Sequence, residues 1–544
     1  MTVIGRQISD IHPAQGVPKG EGAEAEPLAD KAPATALQPA AVPDEQFIDL
    51  PAAIRRHAAE NPGAPALVAE DQVLDWAGFG DRVARTARLL EGQGVRPGDV
   101  VASLAGTSPD HVVVYMASLW LGACMAPLPL GAHPDALAGM ANDCGAGVIL
   151  ADAEQVPLAS GLSIATVIDL STLDKALATL APLPPRTASP GDAFDIIYSS
   201  GTTGTPKGIQ HDHRFRSRQN IRLKGYGLGR DSVALVSTPV YSNTTLALLL
   251  PMIAHGGRMV LMRKFNEERF LELCEAHRVT HMMLVPVQYR RLLAHPRFDA
   301  FDLTSCQVKL STSAPLTPDL VRDALARWPG RLVNIYGMTE GGVSAILDCG
   351  AFPDKLHTVG RAINGAVIRI LDAEGNALPP GEVGEVVGHS PTIMTGYRNA
   401  PDKTREASWR SPDGLDFIRS GDMGKLDEDG FLVLLDRSKD MIISGGFNIY
   451  AVDLERVLLE HPDVVDCAVI GIPSARWGET PLGLVVARPD SGVTPKQICE
   501  WANARLGKIQ RLSAVELRAE LPRSSIGKVL KRELRAPYLA AAPE

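Results

Sequence analysis

The stretch FDIIYSSGTTGTPKG, residues 194–208, joins a short apolar run to a loop of glycine and hydroxyl residues. The run from Phe194 to Tyr198 is rich in β-branched residues and predicts a buried strand. A loop that leaves a strand end is where α/β proteins bind ligands. Its backbone N–H groups, its hydroxyls and Lys207 suit a polyphosphate, although a solvated surface turn is the alternative. It is not a Walker A loop, because Pro206-Lys207-Gly208 replaces the required Gly-Lys-Ser/Thr.

Helical and strand patterns alternate on both sides of this stretch. Residues 47–62 and 75–95 read as amphipathic helices, and residues 99–106 read as a buried strand followed by a helix near Ser108. The alternation recurs in FLELCEAHRVTHMMLVP, residues 270–286, and LVRDALARWPGRLVNIYG, residues 320–337. Repeated units of this kind predict an α/β fold with largely parallel, helix-covered sheets.

The composition is that of a water-soluble globular protein. The 544 residues include 45% hydrophobic and 22% charged side chains, and this length predicts at least two domains. The formal net charge of −9 argues against a nucleic-acid partner, which would require a basic surface. The apolar run 112–130 ends in two prolines, so it reads as a buried helix and a short strand, with a membrane span as the weaker alternative.

The seven cysteines are scattered without a CxxC pair. A disulfide framework and a zinc site are therefore not expected, and a reduced, cytoplasmic setting fits. The N-terminal residues contain no apolar signal-peptide core.

His211 and His213, two histidines with no third ligand nearby, are interpreted as loop residues without a metal.

Changes in composition divide the chain into three predicted parts. Residues 1–44 are rich in Ala, Pro, Glu and Gly and predict a disordered or extended arm. Residues 45–438 form the predicted large N-terminal domain. Residues 439–544 read as a small C-terminal α+β domain, since a charged cluster near residue 437 is followed by helix, strand, strand and helix patterns.

Four motifs in a fixed order together resemble one family. They are YSSGTTGTPKG at 198–208, NIYGMTE at 334–340, SGDMGKLDEDGFLVLLDRSKDMIISGGFNIY at 420–450 and SSIGKVLKREL at 524–534. This pattern resembles the adenylate-forming superfamily of acyl-CoA synthetases, luciferases and peptide-synthetase adenylation domains, over residues 47 to 535. The resemblance implies that a carboxylic acid reacts with ATP to give an acyl-adenylate, and that a thiol then displaces AMP. ATP, Mg²⁺ and coenzyme A are the implied ligands.

The resemblance assigns roles to residues of the large domain. The phosphate loop would comprise Ser199, Ser200, Gly201, Thr202, Thr203, Gly204 and Thr205, with Lys207 as a nearby cation. Glu340, preceded by Thr339, would bind Mg²⁺; a solvated turn glutamate is the alternative. The adenine site would be formed by Ser313, Ala314, Pro315, Tyr336, Gly337 and Met338, although the family usually has glycines where Thr312 and Ser313 stand.

The remaining predicted contacts lie towards the C-terminus. Asp422 would accept hydrogen bonds from both ribose hydroxyls, and Arg437 would support the same region, with an interdomain salt bridge as its alternative. Lys439 matches the family's hinge. Lys528 would stabilise charge between the carboxylate and the α-phosphate, and the turn Gly445-Gly446 would open a channel for the pantetheine arm after a domain rotation.

The stretch STPVYSNTTL, residues 237–246, is used to predict the class of acid substrate. Tyr241, Val285, Gly337, Met338 and Gly342 would line an apolar pocket for an aromatic, alicyclic or medium-chain acid. Ser242 stands where the family often has histidine, which argues against a standard aryl pocket. The absence of an acidic residue in the stretch argues against an α-amino acid.

Two alternatives stay open: a ligase that loads a carrier protein, and a catalytically silent nucleotide-binding scaffold. A homodimer is a further open question.

Overall fold

A computed structural model describes most of the chain beyond the predicted N-terminal arm. The described residues are 47–70, 72–199, 206–363, 365–437, 440–444, 447–474, 476–489, 491–507, 510–524 and 527–540. They belong to one compact unit, Leu37–Glu544. The predicted arm at residues 1–44 and the predicted hinge Lys439 lie outside the described residues.

The helices begin and end where local sequence signals predict. In the described part of the chain the α-helices are Leu50–Glu60, Trp76–Gly92, Pro109–Leu121, Pro134–Cys144, Val156–Ser160, Leu173–Leu177, His213–Lys224, Asn243–His255, Glu267–His277, Pro286–Leu293, Pro318–Arg327, Pro401–Glu406, Ala451–Leu459, Pro495–Asn503 and Lys531–Ala540. Asp75 caps its helix by accepting a hydrogen bond from the Gly78 N–H at 2.7 Å, and Ser108 accepts one from the His111 N–H at 3.2 Å. These caps satisfy N–H groups that the helix itself leaves unpaired.

The apolar run 112–130 is a buried helix and a strand, as predicted. The helix Pro109–Leu121 ends at Gly122, whose φ of 81° is left-handed and therefore suits glycine. The strand Cys124–Pro127 follows directly. Among the described residues, we find no helix with the length and apolar character that a membrane crossing requires.

Two large sheets are parallel in their centres, which confirms the α/β prediction. In spatial order the nine-stranded sheet contains Arg361–Ala362, Ser344–Asp348, Arg331–Gly337, Val308–Ser311, His281–Leu284, Val233–Val236, Arg258–Leu261, Pro65–Val68 and Val73–Asp75. The seven-stranded sheet contains Gly396–Tyr397, Lys207–Asp212, Ala193–Ser199, Cys124–Pro127, Val100–Leu104, Val148–Ala151 and Thr166–Asp169. Strands at the edges pair antiparallel, among them Lys207–Asp212 with Ala193–Ser199.

A third sheet is antiparallel, and the sequence patterns did not predict it. Its strands in spatial order are Val367–Leu371, Gly384–His389, Asp416–Leu426 and Ser408–Arg410, and Leu432–Arg437 pairs with Asp416–Leu426. The prediction of largely parallel sheets is therefore wrong for this region. Two of its pairs are hairpins of consecutive strands, Ser408–Arg410 with Asp416–Leu426 and Asp416–Leu426 with Leu432–Arg437, and such pairing needs no helical crossover.

The C-terminal part has its own sheet and its own apolar core. The strands are Phe447–Ile449, Ile442–Ser444, Gly478–Ala487 and Val464–Ser474, and Ala514–Leu517 pairs parallel with Gly478–Ala487. This arrangement confirms a small α+β domain after a large N-terminal domain. The predicted boundary at residues 438 and 439 falls between strands of two different sheets and stays a prediction, because both residues lie outside the described ranges.

Candidate active site

Four adjacent parallel strands of the nine-stranded sheet end at predicted site residues. Val233–Val236 leads to Tyr241, His281–Leu284 leads to Val285, Val308–Ser311 leads to Ser313, and Arg331–Gly337 ends at Gly337 itself. The carboxyl ends of neighbouring parallel strands share one edge of a sheet, which is where ligands bind in such folds. Predicted adenine and acid contacts are thus brought to the same edge.

Ser313 takes the backbone conformation that glycine usually supplies. Its φ is +76°, in the left-handed region, where a Cβ atom is unfavourable. Its Oγ is 2.8 Å from Thr244 Oγ1, and Ala314 and Pro315 follow in a bend. The turn therefore keeps its left-handed form although serine has replaced glycine.

Tyr336 and Asp422 are joined directly. The Tyr336 hydroxyl donates a 2.6 Å hydrogen bond to Asp422 Oδ2, which links the nine-stranded sheet to the antiparallel sheet. Arg437 lies opposite Asp422 in the strand register, and its side chain lies outside what the structure describes. Two residues predicted to contact adenosine are therefore adjacent.

Lys207 and Glu340 meet through a residue that the sequence analysis missed. The Tyr397 hydroxyl donates to Glu340 Oε1 at 2.9 Å, and Lys207 Nζ lies 4.7 Å from the centre of the Tyr397 ring. Burial and then the charge of Glu340 raise the pKa of Tyr397, so the phenol stays protonated as a donor. Tyr397 reaches this position because the strand Gly396–Tyr397 pairs with Lys207–Asp212.

A buried polar cluster supports the backbone beside Glu340. Asp195, fully buried in the strand Ala193–Ser199, accepts hydrogen bonds from the Tyr115 hydroxyl at 2.6 Å and from Arg216 at 2.7 Å and 3.0 Å. His211 Nδ1 lies 2.6 Å from Asp195 Oδ1, and His211 Nε2 donates to the Thr339 carbonyl at 2.7 Å. Burial opposes ionisation of Asp195, yet the charges of Arg216 and His211 hold its pKa below the ordinary value.

This cluster corrects the interpretation of the two histidines as loop residues. His211 lies in the strand Lys207–Asp212, His213 begins the next helix, and both are buried. The available signal was Asp195 within an apolar run, since a buried aspartate is rare unless it is paired. Its partners are distant in sequence and could not be identified from it.

Several predicted residues lie outside the described structure. They are Ser200, Gly201, Thr202, Thr203, Gly204, Thr205, Lys439, Gly445 and Gly446. The backbone of Ser199 lies opposite Lys207 in the hairpin register, so both ends of the predicted phosphate loop are positioned. The side chain of Ser199 is not described.

The segment that carries Lys528 lies against the large domain at Val285. A Cβ atom built on Gly527, whose φ is +76°, would come within 2.8 Å of Val287 Cγ1 and 3.4 Å of Val285 Cγ2. The Ser524 N–H donates to the Lys528 carbonyl at 2.8 Å, and the Lys528 N–H donates to Ser524 Oγ at 3.2 Å. Lys528 is thus held in a tight turn next to a predicted pocket residue.

The other predicted pocket residues differ in their surroundings. Tyr241 and Ser242 are buried, and Ser242 caps the helix Asn243–His255 by accepting from the Thr244 N–H at 3.3 Å. A Cβ atom on Gly342 would lie 2.6 Å from the Gly388 carbonyl oxygen, so this glycine packs against a strand. A Cβ atom on Gly337 would lie 3.2 Å from the Val343 carbonyl oxygen, so this glycine is also closely approached by backbone.

Glu340 is compatible with Mg²⁺ bound jointly by protein and phosphates. In the part of the chain that the structure describes, no group of three or more His, Cys, Asp or Glu side chains could hold a metal ion. Mg²⁺ commonly binds through one or two carboxylates together with substrate phosphates and water. A single carboxylate beside Lys207 and the phosphate-loop ends fits that mode.

Comparisons with known proteins agree with the geometry. The profile of the family described as AMP-binding enzyme matches residues 54–398, and that of the AMP-binding enzyme C-terminal domain matches residues 453–528. A feruloyl-CoA synthase from an Amycolatopsis species is 33% identical over 89% of this chain and 98% of its own length. The fatty acid–[acyl-carrier-protein] ligase ScoC of Streptomyces coeruleorubidus is 29% identical over 88% of this chain and 94% of its own length.

A solved structure shares the fold. ATP-bound MatB from Rhodopseudomonas palustris superimposes with a TM-score of 0.81 at 28% identity, covering 90% of this chain and 99% of that chain. The matched profiles include both the large and the small domain. The chain therefore belongs to the family of AMP-binding enzymes, in the adenylate-forming group that includes the acyl-CoA synthetases.

Proposed function

We propose that this protein is an ATP-dependent carboxylate–CoA ligase that works through an acyl-adenylate. The observation that carries the proposal is the junction of Lys207, Tyr397 and Glu340 beside the Tyr336–Asp422 pair. The cation Lys207 and the proposed Mg²⁺ ligand Glu340 are thus close in the chain fold to Asp422, the proposed acceptor of the ribose hydroxyls. The relative named feruloyl-CoA synthase supports CoA as the thiol.

In the first step, a carboxylate oxygen of the acid attacks the α-phosphorus of ATP and pyrophosphate leaves. Both reactants are anions, so positioning and charge neutralisation lower the barrier. Lys207 neutralises charge on the β- and γ-phosphates, and Lys528 does so between the carboxylate and the α-phosphate. Glu340 would hold Mg²⁺, which would neutralise phosphate charge. Asp422 accepts from the ribose hydroxyls.

In the second step, the CoA sulfur attacks the acyl carbonyl carbon. The bond from that carbon to the AMP oxygen breaks, AMP leaves, and the thiol proton is released to solvent. We infer that the small domain rotates about Lys439 between the steps, because Lys528 serves only the first. The packing of the turn at Gly527 near Val285 and Val287 supports an arrangement in which Lys528 reaches the acid site in the first step.

The acid binds at the strand ends beside Tyr241, Val285 and Gly337. The meeting of these strand ends at one edge of the sheet supports a pocket there, and the apolar neighbours favour an aromatic, alicyclic or medium-chain acid. The absence of an acidic side chain in residues 237–246 argues against amino acids.

A carrier-protein ligase is the second candidate. It is favoured by the relative ScoC, which is named as a ligase that joins fatty acids to an acyl-carrier protein. Both candidates share the first step and differ only in the thiol that receives the acyl group.

The test is a panel of carboxylic acids assayed for ATP–pyrophosphate exchange and then for thioester formation. We expect exchange with at least one acid and AMP release that depends on CoA. Thioester formation with a holo-carrier protein but not with CoA would select the second candidate. Absence of exchange with every acid, in a folded protein that binds ATP, would contradict both candidates and favour a silent scaffold.

A further inference from the structure

In the part of the chain that the structure describes, Arg222 is a half-buried cation without a carboxylate partner. The helix His213–Lys224 carries four arginines, and its buried Arg216 forms an ion pair with Asp195 at 2.7 Å. In the residues that the structure describes, Arg222 instead has one polar contact, from its NH1 to Ser344 Oγ at 3.1 Å. In the described residues, this helix therefore contains one arginine whose charge is paired with a carboxylate and one whose charge is not.

An uncompensated interior charge is costly unless something else satisfies it. Burial lowers the pKa of the Arg222 guanidinium, yet an arginine remains protonated at neutral pH. Part of the Arg222 side chain is still accessible to water, so it lines a space and is not enclosed by protein on all sides. Buried charges in proteins are normally paired, and a ligand can supply the missing partner.

A second polar group next to Arg222 also lacks a partner. Tyr226, four residues further along the chain, is buried, and its hydroxyl has no hydrogen-bond partner among the described residues. Burial raises the pKa of Tyr226, and the charge of Arg222 acts in the opposite direction, as expected of close neighbours. The Tyr226 hydroxyl and the N–H groups of Arg222 can therefore donate hydrogen bonds to a ligand that carries an acceptor.

Strand register puts Arg222 beside the proposed acid pocket. Ser344, which receives the Arg222 hydrogen bond, is the direct cross-strand partner of Gly337. Directly opposed residues of an antiparallel pair face the same side of the sheet. Gly337 is one of the predicted acid-pocket residues, at the carboxyl end of its strand. The guanidinium therefore borders the space in which the acid is proposed to bind.

We propose that Arg222 binds a second carboxylate of the substrate, so that the preferred acid is a dicarboxylic acid activated at one end only. This inference rests on the proposed function and narrows its substrate class. A planar guanidinium suits a carboxylate because two parallel hydrogen bonds form. The apolar part of the acid lies between the two ends, against Tyr241 and Val285. Arg222 is thus a residue that determines specificity.

The test compares matched acids in three variants. The acids are hexanoate with adipate, and cinnamate with 4-carboxycinnamate, so each pair differs by one carboxylate. The variants are Arg222→Met, Arg222→Lys and, as a control on the same helix, the exposed Arg214→Met. The measurement is kcat/KM from pyrophosphate exchange, together with ATP binding and thermal unfolding.

We expect the wild type to prefer the diacid of at least one pair by about tenfold or more. Arg222→Met should lower kcat/KM for that diacid by about 100-fold or more, because an unpaired carboxylate would be buried, and should change the monoacid value by less than about threefold. Arg222→Lys should retain part of the preference, and Arg214→Met all of it.

Two results would overturn the inference. One is a wild type that activates monoacids without preferring any diacid. The other is a diacid preference that survives in Arg222→Met with ATP binding intact. If Arg222→Met does not fold, the wild-type preference and its weakening in Arg222→Lys decide instead. Failure to activate any acid would count against the proposed function itself, so the two failures are distinguishable.

Discussion

Tyr397 shows how one side chain can connect two motifs that are far apart in the sequence. Its hydroxyl bonds Glu340 and its ring lies under Lys207, so it fixes the positions of an anion and a cation at once. Removing the hydroxyl should leave the ring in place and free the Glu340 carboxylate to turn. The residue is therefore expected to act by positioning.

We predict that Tyr397→Phe lowers the rate of pyrophosphate exchange by about 10- to 100-fold, the effect of one hydrogen bond to a charged group. The thermal midpoint should change little. The matched control is Tyr538→Phe, which removes a 2.6 Å tyrosine–glutamate hydrogen bond to Glu516 outside the site. Wild-type exchange rates in Tyr397→Phe would show that the hydroxyl has no positioning role.

Ser313 allows backbone strain to be measured separately from a hydrogen bond. Both Ser313→Ala and Ser313→Gly remove the bond to Thr244 Oγ1, but only glycine accepts a φ of +76° without cost. We predict that the glycine variant is more stable than the alanine variant by about 1 kcal/mol, measured by urea unfolding. Equal stabilities would mean that the left-handed turn carries no strain.

At the scale of elements, the site is built where separate strands and turns meet. The sheet edge supplies Tyr241, Val285 and Gly337, and the C-terminal turn at Gly527 packs on Val285 and Val287. A second contact joins the two parts, with Arg290 NH1 3.7 Å from Asp466 Oδ1. The turn is thus positioned from the small domain, while the proposed phosphate contacts, Lys207 and Glu340, belong to the large one.

We predict that Lys528→Ala abolishes acyl-adenylate formation but still converts a supplied acyl-adenylate and CoA to thioester. The reason is that Lys528 stabilises charge only while the α-phosphorus is attacked. The two half-reactions are measured separately, by pyrophosphate exchange and by AMP release. Lys496→Ala, on the exposed start of the helix Pro495–Asn503, is the control. An equal loss of both half-reactions would refute this division between the steps.

Considering the whole molecule, local patterns predicted the parallel sheets and their helices, and ordered motifs predicted a set of candidate site residues, of which Tyr336 and Asp422 are in direct contact. The pairing of Gly396–Tyr397 with Lys207–Asp212 joins segments nearly 190 residues apart, so no local pattern reports it. The same holds for Asp195 and its partner Arg216, and for the register that puts Ser344 opposite Gly337. Such contacts depend on tertiary packing, which a single sequence does not display.

Buried histidines make the stability of the fold sensitive to acidic pH. Burial lowers the pKa of His57, His111, His213 and His281. His111 Nδ1 donates to the Gly106 carbonyl at 3.0 Å, and its Nε2 lies 2.8 Å from Ser103 Oγ, which can donate to the neutral ring. In the unfolded chain a histidine has a pKa of about 6.5, so below that pH the unfolded state binds more protons than the folded state.

The contribution of these histidines to the free energy of unfolding should therefore be constant above about pH 6.5. Below that pH it should decrease, by about 1 kcal/mol per buried histidine at about pH 5.5. Urea unfolding at several pH values measures this slope. His111→Gln removes one titrating group and should flatten the slope by about 1 kcal/mol over the same range. His133→Gln, at an exposed histidine, should leave the slope unchanged. An unfolding free energy that stays the same between pH 7.5 and pH 5.5 would mean that protonation of these rings is not coupled to unfolding.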